Sequence, residues 1–251
     1  MHRFFIEPEQ SRGERINLSE REFHHAGAVL RLKEGERVSA LDGAGSELLC
    51  VVEKITKRGI TLRVTQRNSV PRLPYALTLV QAIPKGKTME LVVQKAAELG
   101  AARVVPIVAE RTVTHLDEDN AETKVQKWNW VAIDAIKQCG SAWLPTIPPP
   151  RTPAQYLASA ERSELNLIAT LQPDAQHPRV HLRDFQHEKS RKPKTVSVWV
   201  GPEGDFTPAE INAVRSAGAL PISLGPLILR SETAAIYCLA VLSYELQAES
   251  R

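Results

Sequence analysis

The sequence predicts an α/β protein in two parts: a small β-rich barrel over residues 1–70 and a parallel sheet covered by helices over 71–251. Three observations carry that prediction. The first seventy residues hold short apolar runs separated by glycine-bearing turns, with one helical pattern among them. Val70-Pro71-Arg72-Leu73-Pro74 then breaks the composition, and its two prolines favour an extended linker over continued strand pairing. Beyond it strand and helix patterns alternate, as parallel strands joined by crossover helices require.

In the first part, residues 37–41, 46–54 and 59–64 read as strands, and Asp42-Gly43-Ala44-Gly45 has the chemistry of a hairpin turn. It is not a dinucleotide loop, because a third spaced glycine is missing and strands, not a helix, follow. Phe23, Ala26, Val29 and Leu30 give residues 20–32 a helical pattern. His24-His25 lacks a Cys, Asp or third His at ligand spacing, so no metal site is expected.

In the second part, residues 77–83 and 103–109 read as strands and 87–99 and 121–138 as helices. Thr88 is the expected N-cap of the first helix, Glu90 lies in its first turn and Gly100 follows its end. Val92, Val93, Ala96 and Leu99 form its apolar face; Glu90, Gln94 and Glu98 with Lys95 form either a solvated face or one near substrate. Arg111 follows a strand end, where open α/β sheets place ligand-binding groups. Lys124, Lys127, Trp128 and Trp130 could hold a nucleic-acid strand by charge and stacking, but Trp128 falls on the apolar stripe of its helix.

Thr152-Pro153 starts a short helix expected to run through Ala160, and residues 166–171 form another strand. Residues 172–194 are polar and without clear periodicity, a loop or helix-containing excursion in which His177, His181 and His187 are expected at the surface. Residues 196–200 form a strand, and Thr207-Pro208-Ala209-Glu210 combines an N-cap, a proline at the first helical position and a capping-box acid, with Gly218 closing that helix. Residues 222–224 form the last strand. The final helix, 231–247, is apolar enough to be buried, and a dimer interface is a natural place for it.

A formal net charge of +3 and a sequence pI near 8.8 permit an RNA partner without demanding one. Cys50, Cys139 and Cys238 are odd in number and far apart, which argues against a disulfide framework or a zinc cluster and fits a reducing cytoplasm. No run reaches the roughly 18 apolar residues of a membrane helix.

Two turns stand out. Gly201-Pro202-Glu203-Gly204 follows one apolar run, and Gly225-Pro226 follows another that ends at Leu224. Glycine allows φ > 0 and puts no side chain in the way, so such loops present backbone N–H and C=O groups to a ligand at close range. Together with Leu229-Arg230-Ser231-Glu232-Thr233-Ala234, they resemble the knotted methyltransferases of the SPOUT superfamily, and within it the RsmE family, which makes N3-methyluridine in small-subunit ribosomal RNA. His25, Val29-Leu30-Arg31 and Asp42-Gly43 match that family's PUA-like N-terminal barrel, and Lys87 to Gly100 its first helix. Lys137-Gln138-Cys139-Gly140-Ser141 resembles the family's Glu-Gln-Cys run but carries Lys137 for an acid and Ser141 for an arginine.

The resemblance implies a homodimeric, S-adenosylmethionine-dependent enzyme with a trefoil-knotted SPOUT-type parallel-sheet domain behind a PUA-like β-barrel, acting on 16S ribosomal RNA or the assembled subunit. The cofactor would lie among Thr170-Leu171, Val200 to Gly204, and Leu224, Gly225, Leu227 and Leu229, with Thr233 and Ala234 close by. For chemistry at uridine N3, Glu232 could accept the proton and Arg230 orient the uracil carbonyls, unless the two pair with each other. Arg3, Arg31, Lys95, Arg111 and Gln138 are the RNA-contact candidates. A ribose 2′-O-methyltransferase of the same superfamily and a non-catalytic RNA-binding assembly module are the competing readings.

Overall fold

The computed structural model describes residues 1–24, 26, 30–112, 118–159 and 161–247, of which 118–120 only as backbone. Two compact units emerge: Met1–Arg72 with Ile133–Leu144, and Leu73–Ala132 with Pro145–Arg251.

The first unit is a five-stranded sheet in the order β1-β3-β4-β5-β2. Its strands are β1 (His2–Phe5), β2 (Arg15–Asn17), β3 (Arg37–Leu41), β4 (Ser46–Thr56) and β5 (Gly59–Ser69). β1 pairs with β3 in parallel and the other neighbours run antiparallel. Register shifts at Leu49/Cys50 and Val52/Lys54 let the two long strands bend. Leu48, Cys50 and Val52 alternate inward on β4 and meet Phe4, Ile16, Val38 and Leu62 in one core. The 42–45 turn forms as expected: Asp42 Oδ1 accepts from the Ala44 and Ser46 amides at 2.8 Å, and Gly43 and Gly45 take φ of 66° and 103°. At Gly45 a side chain would collide with the Trp143 ring.

The helix expected over 20–32 is represented by α1 (Glu20–His24). Arg31 has φ 51°, so no right-handed helix continues through it, and Leu32 lies outside any helix. His25 and Val29 are outside the described residues, as is Ala160 at the end of the short helix expected from Thr152.

The second unit is a sheet of order β10-β8-β9-β6-β7 in which every pairing is parallel. Its elements run β6 (Ala76–Ala82), α2 (Thr88–Glu98), β7 (Arg103–Ile107), α3 (Glu118–Cys139), α4 (Pro153–Ala158), β8 (Leu165–Ala169), α5 (Pro178–Lys189), β9 (Thr195–Val200), α6 (Pro208–Ser216), β10 (Leu220–Ile222) and α7 (Ser231–Leu246). The last turns of α3 belong to the first unit. Val196 to Val200 are buried without interruption, as a strand covered on both faces requires. Trp199 packs edge-on against Tyr156 and Phe206, with ring centroids 5.3 and 6.1 Å away. α7 packs on α2, β6 and β9, with Ala235, Leu239 and Leu242 buried and Tyr237 and Tyr244 exposed.

Three expectations need correction. Thr88 is the first residue of α2 and Lys87 occupies the cap, without a side-chain cap bond. Of the two readings of residues 172–194 the helix-containing one holds: α5 is capped by His177, whose Nδ1 accepts from the Arg179 amide. His181 is buried, not exposed, because its Nε2 hydrogen bonds with the Pro221 carbonyl at 3.1 Å. The last strand ends at Ile222, leaving Leu224 in a loop.

Candidate functional site

Every strand of the second sheet runs the same way, so the carboxyl ends of β8, β9 and β10 lie along one edge. There three loops and the start of α7 enclose a cavity of about 410 Å3. Ala169 to Gln172 line it from the end of β8, Val200 to Glu203 and Asp205 from the end of β9, and Ser223 to Gly225 with Leu227 to Arg230 from the end of β10. Ser231 and Ala234 of α7 complete the lining.

The loop after β9 is tied from several directions. The Ser231 hydroxyl donates to the Gly201 carbonyl at 2.6 Å and accepts from Gln81 Nε2 at 2.9 Å. Gln81 is fully buried in β6; its Nε2 also donates to the Ala82 carbonyl, and its Oε1 has no partner among the described residues. Glu203 Oε1 accepts from the Lys85 amide at 3.0 Å, and Arg111 Nη1 donates to the Gly204 carbonyl at 2.7 Å. Asp205 turns the chain with φ 58°, and its Oδ1 accepts from the Phe206 amide at 2.7 Å. Burial pushes the Asp205 carboxyl above the usual aspartate range; the Phe206 amide and the Arg111 guanidinium act against that shift, and Glu210 with it. A side chain at Gly201 would meet Asp205 Oδ1 at 2.9 Å and the Phe206 amide at 3.2 Å, which explains the glycine.

The loop after β10 is bare by comparison. Among the described residues its one side-chain tether is a 3.4 Å bond from the Gly225 amide to the Ser223 hydroxyl. Gly225 has φ 109° with open space around it, and Leu227 and Ile228 are 73% and 81% exposed. Leu171, 65% exposed, adds a third apolar group from the β8 loop. Exposed apolar side chains beside free backbone groups are what a flat heteroaromatic ring with polar edges needs.

The structure thus brings Thr170, Leu171, Val200, Gly201, Pro202, Glu203, Leu224, Gly225, Leu227, Leu229, Arg230 and Ala234 onto one cavity. Gly204, Thr233 and Glu232 do not line it. Gly204 serves as the acceptor that Arg111 holds, and Thr233 and Glu232 occupy the first turn of α7, where Thr233 is exposed. Arg230 and Glu232 do not pair, and neither side chain bonds to another described residue. Sequence reasoning missed Asp205, Ser231 and Gln81. The signal for Gln81 was a lone amide inside an apolar strand, which a buried site must satisfy.

The RNA-contact candidates separate. In the first unit, Arg3 Nη1 donates to the Lys137 and Gln138 carbonyls, both at 3.2 Å, capping the end of α3 beneath Gly140. Arg31 and Gln138 are exposed there. Lys137 is largely buried between Glu22, at 2.7 Å, and Asp134, at 3.1 Å. In the second unit, Lys95 pairs with Glu98 at 2.8 Å, Lys127 with Glu90 at 2.7 Å, and Trp128 is core. Of the basic and aromatic residues proposed on α3, Lys127 and Trp128 are thus committed within the unit. Among the described residues no group of three His, Cys, Asp or Glu side chains could hold a metal, and no helix is long and apolar enough to cross a membrane.

Comparison with known proteins accounts for both units. Residues 71–243 match the family model of an RNA methyltransferase domain, and residues 18–65 that of an RNA methyltransferase PUA domain. Ribosomal RNA small subunit methyltransferase E of Aquifex aeolicus is 31% identical, the alignment covering 96% of this chain and 99% of that one. Among solved structures, a methyltransferase from Legionella pneumophila in complex with S-adenosylmethionine superposes with a TM-score of 0.88 at 32% identity, covering 98% of each chain. Ribosomal RNA small subunit methyltransferase E from Neisseria gonorrhoeae, bound to S-adenosylmethionine, superposes with a TM-score of 0.85 at 25% identity over 98% of each chain.

Proposed function

We propose, from the premise that the chain belongs to the ribosomal RNA small subunit methyltransferase E family, that it methylates N3 of a uridine in small-subunit ribosomal RNA, with S-adenosylmethionine as donor. The observation that carries this reading is the three-loop cavity at the carboxyl ends of β8, β9 and β10. Its composition fits the donor: apolar Leu171, Leu227 and Ile228 for the adenine faces, backbone groups of the two glycine loops for its edges, and acids beside a cation-bearing ligand. When bound, that group supplies a methyl on a positively charged sulfur.

The chain's residues must then position uracil and remove the N3 proton. Arg230 lines the cavity with its guanidinium uncommitted to any described partner, so it can hold a uracil carbonyl and stabilise charge developing on the ring as the proton leaves. Glu232, two residues on, is the proton acceptor in this reading. Its carboxylate is not on the cavity wall, so the role requires the uracil to lie between the cavity and the first turn of α7.

The first unit, the barrel of residues 1–70 with the last turns of α3, would hold RNA by its backbone, with Arg31 and Gln138 exposed for contact and Arg3 committed mainly to capping α3. Lys95 and Arg111 would add contacts from the domain over 71–251, each lending to RNA a cation already bonded within the chain. A trefoil knot agrees with a chain that leaves β10 at the sheet edge and returns as α7 to β6 and β9 near its centre. Thr233, Tyr237, Ala240 and Tyr244 recur on one exposed face of α7, which suits a homodimer of a cytoplasmic protein.

Mass spectrometry of small-subunit ribosomal RNA nucleosides from a strain lacking the protein tests the proposal. One N3-methyluridine should be missing and return with the gene. Loss of a ribose-methylated nucleoside instead, or an unchanged nucleoside profile, rejects it.

A further inference from the structure

The three charged side chains on the cavity wall, Glu203, Asp205 and Arg230, differ in their surroundings. Glu203 and Arg230 are exposed, and water screens their charge. Asp205 is half-buried, its Oδ1 fixed by the Phe206 amide at 2.7 Å. Its backbone has φ 58°, a conformation that glycine adopts freely and that an L-residue takes rarely, an aspartate bonded locally more readily than most. The turn therefore does not require a carboxylate; the side chain adds a fixed negative charge to the wall of a cavity where a charge is felt more strongly than in bulk water.

Methyl donor and spent product differ by one positive charge at sulfur. On the reading proposed above, we infer that Asp205 is a specificity-determining residue of the cavity, its carboxylate favouring the cationic sulfonium of S-adenosylmethionine over the neutral thioether of S-adenosylhomocysteine. Loss of that attraction on methyl transfer lets the product leave the site. The Phe206 amide and the Arg111 guanidinium, the latter bonded to the adjacent Gly204 carbonyl, both favour the ionised carboxylate and oppose the effect of its burial.

Calorimetric titration of the full chain with each ligand tests the inference through the ratio of the two affinities. Asp205→Asn keeps the acceptor for the Phe206 amide and tolerates the left-handed backbone, so it removes charge with little else. The preference for the donor should fall about fivefold in this variant, the scale of one partly screened charge pair. Glu203→Gln, which removes an exposed charge, should move the ratio less than twofold. An Asp205→Asn ratio within twofold of wild type, or an equal fall in Glu203→Gln, overturns the inference. Wild-type protein that binds neither ligand overturns instead the methyltransferase reading on which it rests. If the variant does not fold, the wild-type ratio in mild acid decides: it should drop as Asp205 takes up a proton in the presence of Arg111, Glu210, Glu203 and Arg230, and a flat ratio rejects the role.

Discussion

The two glycine loops look alike in sequence and differ in how they are held. The 201–205 loop is fastened by Ser231 to its first carbonyl, by Arg111 to its Gly204 carbonyl, by Glu203 to the Lys85 amide and by Asp205 to the next amide. Among the described residues the 223–229 loop has a single long side-chain bond, and it shows its apolar residues to solvent. One side of the cavity is built before a ligand arrives, and the other gains its contacts from the ligand. Preorganised donors and acceptors lower the cost of binding, while an untethered wall can open for exchange.

Substitutions that loosen the fastened loop should therefore damage both folding and binding, and those in the bare loop binding alone. The largest effect is expected from Ser231→Ala. It leaves one N–H of the buried Gln81 amide and the Gly201 carbonyl without the Ser231 hydroxyl, Gln81 keeping its bond to the Ala82 carbonyl, and an unsatisfied buried polar group costs about 1–3 kcal/mol. Thermal unfolding should shift down and affinity for S-adenosylmethionine fall by tenfold or more, in order of magnitude. Equal affinity with a lowered melting temperature would show that this wall does not bind the donor.

Ile228→Ala and Leu227→Ala come next. Both side chains are already in water, so their removal should leave the melting temperature of the free protein unchanged. If the donor covers them, each loses part of a burial worth about 1.5–3 kcal/mol for a full side chain, and affinity should drop about fivefold. Amide exchange sharpens the contrast: bound donor should slow exchange through residues 224–229 more than through 201–205. The reverse pattern would exchange the roles assigned to the two loops. Arg111→Ala should act more weakly, because it removes one exposed bond to the Gly204 carbonyl, about 1 kcal/mol, and affects affinity severalfold at most.

What could be read from the chain was what local chemistry decides. The Thr152 and Thr207 caps, each with proline at the first helical position, formed with their capping boxes intact. The glycine loops reached the cavity because glycine and proline punctuation is local too. The groups that were not legible depend on partners distant in sequence. Ser231 matters because Gln81, 150 residues away, needs an acceptor, and His181 is buried because Pro221 offers a carbonyl. Lys137 stands in the sequence as a lysine where the resembled family carries an acid; in the fold it is the partner of Glu22, 115 residues earlier, in a largely buried pair. Asp205 was hidden for another reason, since an aspartate after a glycine turn reads as ordinary loop chemistry until the cavity around it is known.

The smallest effect comes from pH, and its sign follows from the direction of the Asp205 shift. Burial raises this carboxyl above the usual aspartate value, so it takes up its proton in milder acid than an exposed aspartate would. Above that pKa the carboxylate is charged and the preference for the sulfonium is complete; as pH falls through it the preference is lost. As pH is lowered into the acid range the ratio of donor to product affinity should decline, by less than the roughly fivefold effect of removing the charge outright. The same shift works oppositely on the free protein: with the folded pKa above the unfolded one, the native state binds more protons, and this group's contribution to stability rises as pH falls. A declining ratio at constant or rising stability therefore reports the site and not unfolding. In Asp205→Asn the profile should be flat, and a slope as steep as that of wild type would assign the titration to another group.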